Sequence, residues 1–309
     1  MNKIARFMIR SKAATYIAAL LCVVVWTLQL IEERGGAHNY WALLIWTFAG
    51  YLAMKVEREL SFNEARSSLP VTFFFMGCSM APQVGLELAG ILHFLMFPMA
   101  CYILLRTYRK RDAMASYFLA FAIIGTQCLI TPPLLLVLPW LVLCGFFMDS
   151  LHGRTIFASI WGLLLPFWTA FGVLLLTDRT MLAVSYLNQI VPSAWEVPAW
   201  EQFTPQLLWV VLLIVPGGLM LLFDRTMRIQ ANAGYRLLMV ALIVLLVAVA
   251  MSPELYSILS LCVLLYASLI GATMFVGNEG RAQNIFLVAL LVFWTVSFGL
   301  HVWTACLRY

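Results

Sequence analysis

Apolar residues run along this chain in long blocks, and polar residues are confined to the short intervals between them. The first blocks lie near Ala13–Ile31, Tyr40–Val56, Val71–Ala81, Val84–Leu105, Met114–Ile130, Leu134–Met148 and Thr155–Leu176. Four more follow near Gln206–Phe223, Leu237–Met251, Leu255–Val276 and Ile285–Cys306. A helix crossing the ~30 Å hydrocarbon core of a bilayer needs about 20 apolar residues. Most blocks qualify, Val71–Ala81 is too short alone, and Leu134–Met148 is marginal. The pattern predicts an all-α, polytopic transmembrane helical bundle of about eleven hydrophobic segments, one integral membrane domain over residues 1–309. Two hairpins, Val71–Leu105 turning at Ala81-Pro82-Gln83 and Met114–Met148 turning at Thr131-Pro132-Pro133, either cross fully or dip in as re-entrant loops.

Composition points the same way. Of the residues 63% are hydrophobic and 11% charged, and mean hydropathy is +0.94. Soluble domains carry about a quarter charged residues, so lipid is the expected solvent. The net charge of +5 is scattered in short runs between apolar blocks, which excludes a nucleic-acid-binding face and assigns the basic residues a role in orientation. With the N-terminus inside and strict alternation, only Arg34, Arg179 and Arg308 of the 19 Lys and Arg fall outside. The run from Ala13 to Ile31 follows Lys3, Arg6, Arg10 and Lys12, has no clear small-residue cleavage site, and reads as a retained first helix. The expected location is the cytoplasmic (inner) membrane of a diderm bacterium, as a multi-pass protein.

Candidate chemistry is sparse. Ionisable groups inside apolar segments are costly and so mark sites to weigh; setting aside Lys55 at a segment's inner edge, they are Glu87, His93 and His301, with Gln83 and Gln127 at a depth similar to Glu87 and His301. Glu87, Gln83, Gln127 and His301 collect toward the outer leaflet. They form either an outward polar cavity for a lipid head group, a sugar or an ion, or a set of interface groups satisfied by water. His93 lies six residues beyond Glu87 and points to a different side of the helix, as a hydrogen-bonded packing residue would. Pro98, Pro139, Pro166 and Pro216-Gly217-Gly218 interrupt segments, and each is either a simple kink or a discontinuity of the sort that builds transporter sites. The outer loop Thr177–Pro205, with Tyr186, Trp195, Trp200 and Phe203, is an aromatic-anchored connector or an interfacial segment.

Soluble-enzyme motifs are missing. Gly77-Cys78-Ser79-Met80-Ala81 falls one residue short of GxSxG, so a membrane serine protease built on Ser79 with His93 or His301 is a remote option. All seven cysteines fall in apolar segments without a CxxC pair, which predicts packing roles. No metal site and no cofactor are expected.

The stretch Ser61-Phe62-Asn63-Glu64-Ala65-Arg66-Ser67-Ser68-Leu69-Pro70 leads into a short apolar run ending at Pro82, then an apolar helix ending in basic Arg106 to Arg111. A helix into Thr131-Pro132-Pro133 follows, and then Gly162-Leu163-Leu164-Leu165-Pro166 with an apolar run to Asp178. Over Glu57 to Asp178 this order resembles a family of uncharacterised polytopic inner-membrane proteins of Bacteroidetes. That resemblance implies location and architecture and brings no catalytic residues. More distantly, the order resembles the polytopic membrane glycosyltransferases that use polyprenyl-phosphate sugars. Those enzymes keep an acidic residue in the first outer loop, where Glu32 and Glu33 stand here. The resemblance implies a general base or metal ligand at that point, and a lipid-linked glycan as partner. The loop from Glu32 to Asn39 is only eight residues, against a much longer loop in that family.

The function expected from these features is a non-catalytic envelope scaffold, a partner subunit or a lipid-handling protein, with the bilayer and other membrane proteins as partners and no nucleic acid. The alternatives are a glycosyltransferase-like enzyme on Glu32 or Glu33 and a transporter or flippase on Glu87.

Overall fold

The structure, a computed structural model, describes residues 12–32, 69–80, 88–110, 112–137, 145–146, 148–190, 200–223, 229–251, 255–275 and 281–307. Among them there is no strand. Ten α-helices follow one another: α1 Lys12–Glu32, α2 Leu69–Met80, α3 Leu88–Leu105, α4 Met114–Ile130 and α5 Gly153–Leu176. Then come α6 Met181–Ile190, α7 Trp200–Phe223, α8 Ile229–Met251, α9 Leu255–Thr273 and α10 Arg281–Leu307. Three stretches, Gly153–Leu176, Asn232–Ala250 and Gln283–Leu300, are long and apolar enough to cross a membrane. The predicted segment Tyr40–Val56 lies outside the described residues.

Most boundaries fall close to the sequence pattern, with four departures. Helix α8 begins at Ile229, ahead of the predicted Leu237. The stretch expected to be an outer loop contains a ten-residue helix, α6. Helix α7 begins at Trp200 and carries Pro205 within it, and it runs unbroken through Pro216-Gly217-Gly218. The predicted segment Leu134–Met148 opens as a 3-10 turn over Pro132–Val137, whose two leading prolines lack the N–H donors that would continue α4.

The described residues gather into two compact units. The first comprises those of Met1–Leu88, Ala199–Ala231 and Val263–Tyr309, and the second those of Ala89–Pro198 and Asn232–Cys262. In the first unit, α2 is the core. Twelve residues make a helix of about 18 Å at 1.5 Å per residue, short of a bilayer crossing, and ten of them are buried. Thr72 of α2 meets Thr15 of α1 at 3.0 Å. Trp209 of α7 donates its indole N–H to the Phe73 carbonyl at 3.2 Å and sits edge-on to the Phe73 ring. Trp294 of α10 donates to Ser79 Oγ at 2.9 Å, and that hydroxyl donates onward to the Met76 carbonyl at 2.7 Å. The Ser79 hydroxyl is therefore committed to structure on both of its hydrogen-bonding sides.

In the second unit α4 and α5 pack side by side and run in the same direction. Their N-terminal ends meet through Ser150, whose hydroxyl bonds Tyr117 at 2.8 Å and Thr107 at 3.2 Å, and whose carbonyl accepts from Thr155 at 3.2 Å. Arg109 and Asp149 pair at 3.7 Å beside this junction, both exposed. A bond of that sort contributes at most about 1 kcal/mol, but it marks the end of the unit where Arg106, Arg109, Lys110 and Arg154 gather.

The helix faces follow the logic of lipid solvent, in which large apolar side chains gain nothing by turning inward and small ones let backbones approach. The buried residues of α5 are Thr155, Ala158, Ser159 and Gly162, while Phe157, Trp161 and Trp168 are exposed. Helix α1 repeats the rule, with Ala14, Thr15, Ala18 and Cys22 buried and Tyr16, Ile17, Leu20 and Val24 exposed. Contact between α4 and α5 is backbone to backbone. A Cβ on Gly162 would collide with the Phe118 carbonyl, and a Cβ on Gly125 would stand 2.6 Å from the Leu163 carbonyl. Within the first unit, Gly217 of α7 meets the Ile270 carbonyl of α9 in the same way, so Pro216-Gly217-Gly218 is a close-packing point in a continuous helix.

Gly162→Ala should therefore destabilise the protein by about 1–3 kcal/mol, the usual cost of overpacking. Gly172→Ala on the same helix, where an added methyl meets open space, should be neutral or stabilise by up to ~1 kcal/mol, since mid-helix glycine costs that much relative to alanine. Unfolding titrations in mixed micelles measure both, and equal stabilities would show that α4 and α5 do not touch through their backbones.

Candidate polar site beside an apolar groove

The chemistry of the second unit lies at the end opposite Arg106, Arg109, Lys110 and Arg154. Helix α4 stops at Ile130 because Thr131 precedes proline, and a residue before proline is pushed out of the helical region. Thr131 adopts φ −130° and ψ 90° while its N–H still bonds the Gln127 carbonyl at 2.8 Å. This turn aims its hydroxyl at α3, where it shares a 2.7 Å hydrogen bond with His93 Nε2. His93 is completely buried, Thr131 nearly so, and Gln127, one helical turn before Thr131, is 1% exposed.

The Gln127 amide adjoins the His93 ring, yet the two do not reach hydrogen-bonding geometry. His93 Nδ1, Gln127 Nε2 and Gln127 Oε1 are all buried with no partner. A buried amide left unpaired costs about 1–3 kcal/mol by mutational measures, so this is an expensive arrangement for a packing role alone. One residue further on, the Cys128 carbonyl accepts a 2.7 Å bond from Tyr186 of α6. That bond pins α6 over this end of α4, and burial pushes the Tyr186 phenol above its usual pKa range, keeping it a donor.

Beside the polar pair, α4 and α5 part. Up to Gly162 they touch, and beyond Pro166 they enclose a groove with a volume of about 720 Å³. Ala122, Ile123, Thr126 and Leu129 of α4 form one wall, Leu165 to Leu174 of α5 supply the other, and Met96 of α3 completes the lining. Pro166 cannot donate to the Gly162 carbonyl and crowds it, which favours a bend at the point where the helices separate. The two wall threonines offer no free donor to a ligand, because Thr126 donates to the Ala122 carbonyl at 2.9 Å and Thr169 to the Pro166 carbonyl at 2.8 Å. The groove is thus an apolar slot, open to the side, in the ~300–1,000 Å³ range of small-molecule sites.

Of Glu32, Glu33, Gln83, Glu87, Gln127 and His301, only Gln127 has a described side chain. Glu33, Gln83 and Glu87 lie outside the described residues; Glu32 closes α1 and His301 lies within α10, both with side chains outside the described set. The structure joins Gln127 to His93 and Thr131, a grouping the sequence did not suggest. Thr131 was overlooked as a partner, although the threonine before two prolines at a helix end was a visible signal. Among the described residues there is no cluster of three or more His, Cys, Asp or Glu suited to a metal, and Cys22, Cys78, Cys101, Cys128 and Cys262 are buried free thiols. No protein-family model, no curated protein and no solved structure matches this chain.

Thr131→Val keeps the shape of the turn but strands His93 Nε2, and should cost about 1–3 kcal/mol. Adding His93→Leu removes the stranded ring, so the double variant should lose less than the sum of the two single losses. Thermal unfolding of the three variants gives the coupling, and strict additivity would mean the His93–Thr131 bond contributes nothing.

Proposed function

We propose that this chain is a multi-pass inner-membrane protein that handles lipid without chemistry, holding one hydrocarbon chain of a bilayer lipid in the groove between α4 and α5. The groove itself carries this reading. It is apolar, it continues beyond Gly162 the face of α5 that packs against α4, and its wall hydroxyls donate within their own helices. A protein helix seated there would need backbone or side-chain complementarity to match, whereas an acyl or prenyl chain needs only apolar surface. Gathering Arg106, Arg109, Lys110 and Arg154 at one end of the unit supports that end as the cytoplasmic one. The polar pair then sits toward the outer leaflet.

The topology of about eleven segments with the N-terminus inside, the envelope role and the likeness to the Bacteroidetes inner-membrane family belong to this proposal. The glycosyltransferase reading rests on Glu32 and Glu33 and the transport reading on Glu87. No described side chain favours either.

A photoactivatable phosphatidylcholine with a diazirine in its acyl chain, incorporated into proteoliposomes with the full chain, tests the reading. Crosslinks should map to α4 and α5 residues of the groove. Ala170→Trp, which fills the slot from one wall, should lower that labelling about tenfold, equivalent to ~1.4 kcal/mol. Labelling spread evenly over the exposed face of α5 and unchanged by Ala170→Trp would sink the proposal.

A further inference from the structure

We infer that the lipid held in the groove presents an uncharged hydroxyl to the Gln127–His93 pair, so that the site selects neutral hydroxyl-bearing lipids such as diacylglycerol over lipids with an anionic phosphate at that position. This rests on the lipid-handling reading above and goes further by naming the lipid class. The first observation is one of hydrogen-bond arithmetic. Thr131 already occupies His93 Nε2, leaving the ring one nitrogen, while the Gln127 amide brings both a donor end and an acceptor end. Even if Gln127 and His93 shift to meet each other, only one amide atom is satisfied. A third group is required, and it must donate to Gln127 Oε1 or accept from Gln127 Nε2, or do both.

The second observation is position. On α4 the groove residues Thr126 and Leu129 flank Gln127, and Ile123 lies one turn before it. On α3, which runs opposite to α4, the groove residue Met96 lies one turn from His93. The unmet polar atoms therefore stand level with the far end of the apolar slot but behind its wall, buried and outside its lining, so a lipid whose chain fills the slot meets them by turning its polar end inward between α3 and α4.

The third is chemistry. A hydroxyl can donate to Gln127 Oε1 or accept from Gln127 Nε2, whichever atom the His93 tautomer leaves unmet. An ionised phosphate oxygen only accepts, so it serves one of these cases, and it brings a charge whose burial is costly without a cation beside it.

The test uses proteoliposomes of the full chain with three diazirine-acyl probes of identical chains at equal mole fraction: diacylglycerol, phosphatidic acid and phosphatidylcholine. Groove peptides of the wild type should be labelled several-fold more by diacylglycerol than by phosphatidic acid. Gln127→Met, close in volume and without hydrogen-bonding groups, should abolish that ratio while phosphatidylcholine still labels the groove. His93→Leu should reduce the ratio in the same direction, which guards against a folding defect peculiar to the Gln127 variant. Equal labelling by diacylglycerol and phosphatidic acid in the wild type, or a ratio that survives Gln127→Met, overturns the hydroxyl assignment and leaves the lipid groove standing. Absence of groove labelling by all three probes overturns the lipid-handling reading and this inference with it.

Discussion

Close approach of one helix backbone to the carbonyls of another is the contact on which this architecture turns. In water, helices associate by burying large apolar side chains, but lipid offers those side chains an environment as good as a neighbouring helix. Association then depends on dense packing, and glycine permits the densest. Gly162 against the Phe118 carbonyl and Gly125 against the Leu163 carbonyl fix α4 to α5, and Gly217 against the Ile270 carbonyl fixes α7 to α9. The buried stripes of Thr, Ala, Ser and Gly on α5, and of Ala, Thr and Cys on α1, follow from the same constraint.

The groove is a consequence of where that contact ends. Once past Gly162, α5 meets Pro166, loses a main-chain hydrogen bond and presents Leu165, Thr169, Val173 and their neighbours to a widening gap. The slot stays apolar because its two threonines turn their hydroxyls onto their own helices. The polar pair behind it is held equally firmly. A proline-enforced helix stop aims Thr131 at His93, and the remaining ring nitrogen and the Gln127 amide are left facing each other with unmet capacity. Apolar walls and an unsatisfied polar end, built from the same helices, are the ingredients of a small-molecule site, for which a lipid is the proposed occupant.

Much of the fold was legible in the chain. Met114–Ile130 was delimited to the residue, and Ala13–Ile31 and Thr155–Leu176 to within two residues of α1 and α5, because lipid imposes a single rule of length and apolarity on each segment. Helix α6 was not, since ten residues amid a loop carry too weak a pattern to stand out from connector sequence. The site was only partly legible. Gln127 was visible as a polar residue in an apolar block, but its grouping with Glu87 and His301 followed depth along the segments, a coordinate that says nothing about which helices are neighbours. His93 was expected to be a hydrogen-bonded packing residue, and its bond to Thr131 fits that, but the partner lies 38 positions away.

The amino-acid sequence by itself determined that the chain is helical and apolar, roughly where most of its long segments lie, and which few polar residues lie within them, because these depend only on local composition and on the thickness of a bilayer. Only the tertiary structure decided that α4 and α5 touch at glycines and part at Pro166, and that His93, Thr131 and Gln127 meet. Those outcomes depend on contacts between residues far apart in the chain, and on the handful of positions where a missing Cβ lets two backbones meet.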